Sequence, residues 1–219
     1  MNEILTIDGP SGVGKGTVAT IIAKKLDWNI LDSGAIYRAL ALDVIKRKIA
    51  LDDKQNIIKI AKNLDLKFEI GNDLVVPILN NTDVSKKLRT QECGEVASQL
   101  APIKEVREAL LQRQRAFAKN KNLVADGRDM GTVVFKNAQT KIFLTASAEI
   151  RAKRRLKQLD ISDNPSKIQK IVLEINQRDE RDMNRSESPL KPAEDAHIID
   201  TAHLTINEVV EKIMRLMNT

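Results

Sequence analysis

One short stretch of the chain, IDGPSGVGKGT at residues 7–17, has the residue types and the spacing of a phosphate site. It nearly matches G-x-x-x-x-G-K-[ST], a motif whose glycines turn successive backbone N–H groups toward phosphate oxygens while the lysine adds a cation. Gly16 stands where the motif has Ser or Thr, and the hydroxyl follows one residue later, at Thr17. The stretch predicts a site for a nucleotide's phosphates with Lys15 as its cation. A glycine-rich turn without a ligand is the alternative.

The residues around this loop predict a strand before it and a helix after it, which is the setting that the motif requires. Ile4–Ile7 is a short apolar run, and Val18, Ile22 and Leu26 recur at helical spacing. Short apolar runs alternate with helical patterns along the rest of the chain, which predicts an α/β fold with a parallel sheet covered on both faces. The further strand candidates are Asn29–Leu31, Leu123–Ala125, Lys141–Leu144 and Ala196–Ile199.

One segment breaks this alternation. Leu66–Ile70 alternates apolar and polar residues, as a half-buried strand does, and a turn signal at residues 71–73 leads into the apolar run Leu74–Leu79. The pattern predicts a small antiparallel unit inserted at about residues 63–85. Pro77 predicts an edge position for its strand, because proline cannot donate a hydrogen bond to a neighbouring strand.

A second group of polar residues, LDSGAIYR at residues 31–38, follows the second strand candidate. Ligands of open α/β sheets bind beyond the carboxyl ends of the strands. Ser33 could cap a helix that begins near Gly34, and Arg38, one turn later, could neutralise a phosphate at the start of that helix. An ordinary capped helix with a surface arginine fits the stretch equally well.

A third group, ADGRDMGT at residues 125–132, again follows an apolar strand candidate. Unpaired charges in a cleft are costly, so an arginine between two aspartates predicts partners for all three. We interpret Arg128 as a grip on phosphate, and Asp126 or Asp129 as a reader of a base or part of the shell of a metal ion. The alternative is a solvated turn with internal ion pairs.

A fourth feature is a helix whose apolar stripe becomes charged. The stripe of Ile168, Ile171, Val172 and Ile175 continues at helical spacing as Arg178, Asp182 and Arg185, with Arg181 beside it. Such a face suits an anionic ligand in a cleft, although a helix that emerges into solvent gives the same pattern.

Upstream, a basic run from Arg151 to Lys157 precedes a polar segment that ends at Pro165. A lid at about 154–165 is predicted, with a solvated helix face as the alternative.

Composition narrows the class of ligand. The net charge is +6, from 36 basic and 30 acidic residues, and aromatic residues make up 3% of the chain. The excess suits polyanions, but interspersed acids and scarce stacking residues favour small phosphorylated ligands over a nucleic acid. The single Cys93 excludes an internal disulfide, and the lack of a signal-peptide pattern predicts a cytosolic protein. His197 and His203 lack the neighbours that a zinc site needs.

Six stretches together resemble the bacterial cytidylate kinase family over essentially the whole chain: IDGPSGVGKGT, LDSGAIYRALAL, VREALLQRQRAF, VADGRDMGTVVF, KIFLTAS and QRDERDMNR. A phosphate loop whose hydroxyl stands one residue after the usual position, as Thr17 does, is also the form seen in nucleoside monophosphate kinases. The resemblance implies one three-layer P-loop domain with a central parallel five-stranded sheet. It divides the chain into a core at 1–62, 86–153 and 166–219, a monophosphate-binding insert at about 63–85 and a lid at about 154–165.

The resemblance implies that ATP phosphorylates CMP or dCMP. We also expect a cytoplasmic monomer without a nucleic-acid or membrane partner. The resemblance implies Mg²⁺ held mainly by ATP and water, with no side chain assigned as a ligand. Kinases for UMP or AMP, and a nucleic-acid-binding P-loop NTPase, stay open as alternatives. The residues implied for the ATP phosphates are Gly9, Pro10, Ser11, Gly12, Val13, Gly14, Lys15, Gly16 and Thr17. Those implied for the phosphate of CMP are Ser33, Arg38, Arg128 and Arg185, with Arg178 and Asp182 at the sugar, Ser98, Arg107 and Asp129 at the base, and Tyr37 and Asp126 completing the site. Those implied for catalysis are Lys15, Arg128, Arg178, Arg181 and Arg154.

Overall fold

A computed structural model describes residues 2–71, 74–158 and 164–218. Within these ranges the strands are β1 (Ile4–Asp8), β2 (Asn29–Asp32), β3 (Leu66–Ile70), β4 (Val75–Leu79), β5 (Thr82–Asp83), β6 (Leu123–Gly127), β7 (Thr140–Thr145) and β8 (His197–Asp200). The helices are α1 (Lys15–Leu26), α2 (Ser33–Lys46), α3 (Lys54–Lys62), α4 (Ser85–Leu88), α5 (Gln91–Leu100), α6 (Lys104–Ala116), α7 (Ala148–Gln158), α8 (Pro165–Asn184) and α9 (Ile206–Met217), with a π-helical turn at Met130–Val134.

The central sheet has five parallel strands in the order β2-β6-β1-β7-β8, which confirms the predicted α/β fold. Both faces of the sheet are buried. Along β6, Leu123 and Ala125 pack into one apolar cluster with residues of α2, α3 and α6, whereas Val124 packs into the other with residues of α1 and α9. This burial on two faces is why the strands read as continuous apolar runs.

The register of the sheet brings polar residues to its carboxyl edge. Asp32 of β2 lies opposite Asp126 of β6, and Asp8 of β1 lies opposite Gly127. Each of these aspartates comes directly after an apolar run and still belongs to the strand. The strands β1, β2 and β6 therefore extend further than their apolar residues predict. Parallel strands end at one edge, and the three carboxylates are therefore neighbours at the start of the loops that follow.

The predicted insert is an antiparallel sheet in the order β3-β4-β5. The expected edge position of Pro77 is wrong, because Pro77 lies in the central strand, β4. The Pro77 carbonyl accepts a hydrogen bond from the N–H of Val84 (3.0 Å), a residue just beyond the end of the two-residue β5. The carbonyl and the nitrogen of one strand residue point to the same neighbouring strand, so the proline nitrogen also faces the β5 side, where that strand has ended. The proline thus removes no strand-to-strand hydrogen bond.

The predicted lid at 154–165 falls partly outside the described residues, which omit 159–163. Its first residues form the end of α7, and Asn164 caps α8 by accepting a hydrogen bond from the Ser166 N–H (3.0 Å). No helix in the described ranges is long and apolar enough to cross a membrane.

Candidate active site

The loop at residues 9–14 joins β1 to α1 and is packed against the sheet. Gly9 has φ 146°, and a Cβ there would lie 2.2 Å from the carbonyl oxygen of Leu144 in β7, so only glycine fits. Gly14, with φ 97°, is the N-cap residue of α1, and in the described part of the chain no side chain caps this helix. The N–H groups at the start of α1 are therefore available to bind an anion.

Lys15 extends from the first turn of α1 into the interior of this loop. Its ammonium donates to the carbonyl of Pro10 (2.8 Å). Burial, together with the positive charge of Arg128, lowers the pKa of Lys15 to about 7. A phosphate group beside Lys15 would stabilise its charged form, so the site favours an anionic ligand.

Asp126 lies beside the same loop, at the end of β6. Burial raises its pKa to about 7, although Lys15 opposes that shift. A Cβ on Gly16 would be 3.4 Å from Asp126 Oδ2, which places the carboxylate next to the position where the common motif carries a hydroxyl. Within the described ranges no hydrogen bond to this carboxylate occurs. Asp126 is thus an oxygen acceptor facing the phosphate loop.

Next to the loop is a cleft that is open to solvent. Its walls come from the start of α2, from α5 and α6, from the residues after β6, and from the end of α8. The described residues that line it are Ser33, Gly34, Tyr37, Arg38, Ala97, Ser98, Ala101, Arg107, Gly127, Arg128, Asp129, Arg178, Asp182 and Arg185. The fold therefore brings together all the residues predicted for the substrate except Asp126.

The cleft is electropositive. Five arginines and two aspartates line it, so its side chains carry a net charge of +3. Burial and the nearby Arg128 lower the pKa of Arg178 to about 10. Asp182 accepts from Arg128 Nε (2.9 Å); burial alone would raise the pKa of Asp182, but Arg128 holds it below its usual value. This imbalance of charge favours a phosphorylated ligand.

A separate group in the cleft combines a cation, a carboxylate and a ring. Arg107 donates to Asp129 and to the carbonyl of Ala101 (3.2 Å), and its guanidinium lies 5.8 Å from the ring centroid of Tyr37. Burial raises the pKa of Tyr37 to about 12, and its hydroxyl has no hydrogen-bond partner among the described residues. With Ser98 nearby in the cleft wall, the group offers both donors and acceptors to a heterocycle.

The prediction that Ser33 caps α2 is wrong. Asp32 is the N-cap residue, and its carboxylate accepts from the N–H of Ala35 (2.9 Å). The hydroxyl of Ser33 instead donates to Gln114 Oε1 (2.8 Å) from within the first turn of the helix. The aspartate precedes the serine and can therefore accept from the early N–H groups, which leaves Ser33 at the cleft wall.

Two arginines predicted for catalysis lie outside the cleft. Arg154 donates to the backbone carbonyl of Thr201 (2.5 Å) and to that of Val13 in the phosphate loop (3.5 Å). Arg181 is exposed and donates to the carbonyl of Gln177 in its own helix (3.2 Å).

Sequence reasoning missed Arg151 and Asp179, which form a buried ion pair between α7 and α8. In the sequence, both residues belong to charged runs in which no single residue stands out. The pair forms because α7 packs on α8, and neither run predicts that contact. Asp8 was missed as well, although it ends the strand before the phosphate loop. Its carboxylate accepts from the N–H groups of Met130 (2.9 Å) and Gly131 (2.8 Å), far away in the sequence.

A parallel sheet and a glycine-rich loop leading into a helix define a P-loop protein, and the adjoining arginine-lined cleft has a charge that suits a phosphorylated small molecule. The model of the cytidylate kinase family matches residues 5–219, and the chain belongs to this family. A cytidylate kinase from Shewanella putrefaciens is 52% identical over 217 residues, covering 98% of this chain and 94% of the relative. One from Vibrio cholerae is 51% identical over 216 residues, covering 99% and 96%.

Among solved structures, an uncharacterized protein from Eubacterium ventriosum has a TM-score of 0.54 at 10% sequence identity. The similarity covers 100% of this chain and 99% of that chain. At this identity it shows a shared fold and no more.

Proposed function

We propose that the protein transfers the γ-phosphoryl group of ATP to CMP or dCMP, forming ADP and CDP or dCDP. Membership of the cytidylate kinase family supports the reaction. The single observation that carries it is the cleft with a net charge of +3 next to the phosphate loop, which contains the Arg107–Asp129 pair. This arrangement provides one site for the donor and one for a phosphorylated acceptor with a polar base.

At the donor site, the backbone of Gly9–Thr17 and the start of α1 would bind the phosphates of ATP. Lys15 would stabilise the charge that develops on the transferred group. ATP is normally used with Mg²⁺, and the oxygen donor set around the loop fits a hydrated ion of this kind, since the Asp126 carboxylate faces Gly16 without a hydrogen bond in the described ranges. We assign the ion mainly to ATP and water, with Asp126 orienting its water shell; when bound, it would neutralise phosphate charge.

At the acceptor site, we assign the phosphate of CMP to Arg38, Arg128 and Arg185, together with Ser33. Arg178 and Asp182 would lie at the sugar. A monophosphate is already an anion at neutral pH, so the transfer needs positioning and charge neutralisation more than a strong general base.

The base would be held by Arg107, Asp129 and Ser98, with Tyr37 completing the wall. Cytosine presents an amino donor at N4 beside acceptors at N3 and O2, which matches a carboxylate and a guanidinium. The roles of the insert at 63–85 in binding the monophosphate and of a lid at 154–165 remain part of the proposal. So do the catalytic roles of Arg154 and Arg181, each of which would have to move to reach the cleft.

A coupled assay for ADP release tests the proposal. The protein is given ATP and Mg²⁺ with CMP, dCMP, UMP or AMP, and separately with DNA or RNA. The proposal expects release that depends on CMP or dCMP. Release with UMP or AMP alone would establish a different monophosphate kinase, and release stimulated only by a nucleic acid would establish a P-loop NTPase of another class. Gel filtration would test the proposed monomer.

A further inference from the structure

The residue proposed to read the base, Asp129, lies at the start of an unusual turn. It is the N-cap residue of the π-helical turn Met130–Val134, which follows β6. An aspartate in this position ordinarily accepts hydrogen bonds from the first N–H groups of its own helix. In the described structure the side chain of Asp129 makes no such capping bond and pairs with Arg107.

A different carboxylate caps the turn. Asp8, the last residue of β1, is 4% exposed. Its Oδ1 accepts from the N–H of Met130 (2.9 Å) and its Oδ2 from the N–H of Gly131 (2.8 Å). The fit is close, since a Cβ on Gly131 would be 3.4 Å from Asp8 Oδ2 and 3.0 Å from the hydroxyl oxygen of Thr6. Asp8 thus satisfies the two N–H groups that Asp129 would otherwise face.

Placing a carboxylate here is unfavourable in itself. Burial raises the pKa of Asp8 to about 6, and the two backbone hydrogen bonds oppose that shift. The negative charge of Asp129 also disfavours ionised Asp8. Hydrogen bonds to an ionised acceptor are stronger than those between neutral groups, so ionised Asp8 holds the turn firmly against the end of β1.

We propose that Asp8 is a positioning residue for base selection: by capping the turn Met130–Val134 in place of Asp129, it leaves the Asp129 carboxylate free for Arg107 and the base of the ligand. The inference rests on the proposed function, because it concerns how the same cleft distinguishes CMP from other monophosphates. When the Asp8 acceptors are lost, the Asp129 carboxylate, at the N-cap position of the same turn, becomes an acceptor for the freed N–H groups. It then turns toward its own helix and away from the base.

The substitution Asp8→Asn tests this role, because it keeps the size of the side chain but places an amide N–H₂ against a backbone N–H. We expect the ratio of kcat/KM for CMP to that for UMP to fall about tenfold or more, the scale of one charge-assisted hydrogen bond. The fall should come mainly from a higher KM for CMP. Thr6→Val is the matched control: it changes the same strand next to the same turn, removes a buried hydroxyl that has no partner among the described residues, and should keep the parental ratio.

A double variant separates positioning from a general structural role. If Asp8 acts through Asp129, Asp8→Asn should not change the CMP/UMP ratio any further in an Asp129→Asn background. Asp8→Glu keeps the charge but displaces the carboxylate from the two N–H groups, should also lower the ratio, and decides the matter if Asp8→Asn does not fold. Folded variants that keep the parental ratio, or equal effects of Asp8→Asn in both backgrounds, would overturn the inference. A parental protein that phosphorylates neither CMP nor UMP would instead overturn the proposed function.

Discussion

Arg151 and Asp179 form a buried ion pair that joins the phosphate loop to α8, the helix that lines one side of the cleft. Arg151 Nη2 lies 2.6 Å from Asp179 Oδ2, and Arg151 Nη1 donates to the carbonyl of Ser11 (3.1 Å). Asp179 follows Arg178, which lines the cleft. One guanidinium therefore contacts the backbone of the proposed donor site and the helix that carries part of the proposed acceptor site.

Removing one member of this pair should destabilise the protein strongly. Asp179→Asn leaves the buried charge of Arg151 without its partner, and we expect the free energy of unfolding to fall by about 3–5 kcal/mol. Chemical denaturation measures the change. Glu211→Gln is the control: it breaks the pair with Arg215, in which both side chains are exposed, and should cost about 1 kcal/mol or less. Equal losses in both variants would contradict the importance of the buried pair.

Lys15→Ala should leave the protein folded but poorly active. The ammonium of Lys15 contacts only the Pro10 carbonyl at hydrogen-bond distance within the described structure, and burial already disfavours its charge. Loss of a cation that stabilises the transferred group should lower kcat roughly 10²-fold or more. Steady-state kinetics with CMP, alongside circular dichroism, measure both effects. Lys25→Ala, an exposed change in the same helix, should match the parent. A folded Lys15→Ala variant with near-normal turnover would remove the donor-site assignment.

Asp129→Ala should abolish most CMP activity and much of the preference for CMP over UMP. Uracil has an acceptor at O4 and a donor at N3, so the Asp129 carboxylate and the Arg107 guanidinium would each face a group of the wrong kind. Buried polar groups left without partners discriminate by several kcal/mol, on the order of 10³-fold. The measurement is kcat/KM for each nucleotide. Arg38→Ala, a change at the proposed phosphate contact, should weaken both substrates about equally. If Asp129→Ala keeps the parental ratio, Asp129 does not read the base.

The stability of the protein should depend on pH through Asp126. Its pKa is about 7 in the fold and 3.8 ordinarily, so between these values the folded state binds more protons than the unfolded chain. The parent therefore loses stability as pH rises through this window. Asp126→Asn removes the effect, and its stability relative to the parent should rise between about pH 5 and about pH 7.5.

Urea denaturation of both proteins at the two pH values gives this difference. In the control, Asp195→Asn, the hydrogen bond from Lys141 lowers the pKa of the native carboxyl, so its titration lies below the window. The stability of that variant relative to the parent should stay constant from about pH 5 to about pH 7.5. A constant difference for Asp126→Asn as well would show that Asp126 is not held in the fold as described.

The strands, and cleft residues such as Arg38 and Arg128 that follow them, could be predicted because their signals are local. Ser98 and Arg107 carry no such signal and were implied only by the resemblance to a family. An apolar run followed by Asp126 or Asp32 indicates the end of a buried strand, and parallel strands necessarily end together. The position of Pro77 could not be predicted, because it depends on β5 being only two residues long. The contacts of Arg154 could not be predicted either, since Thr201 lies in a loop that only the packing of the sheet brings beside α7.

The close contact between Gly9 and β7 also bears on the reaction. A loop that packs without room for a Cβ has its backbone conformation fixed by folding, and Arg151 holds the same loop at Ser11. The N–H dipoles that would surround the donor phosphates are therefore preorganised, and the proposed binding of ATP would need little loss of backbone entropy there. When negative charge moves during the proposed transfer, dipoles that are already fixed in place would avoid the reorganisation energy that water would contribute.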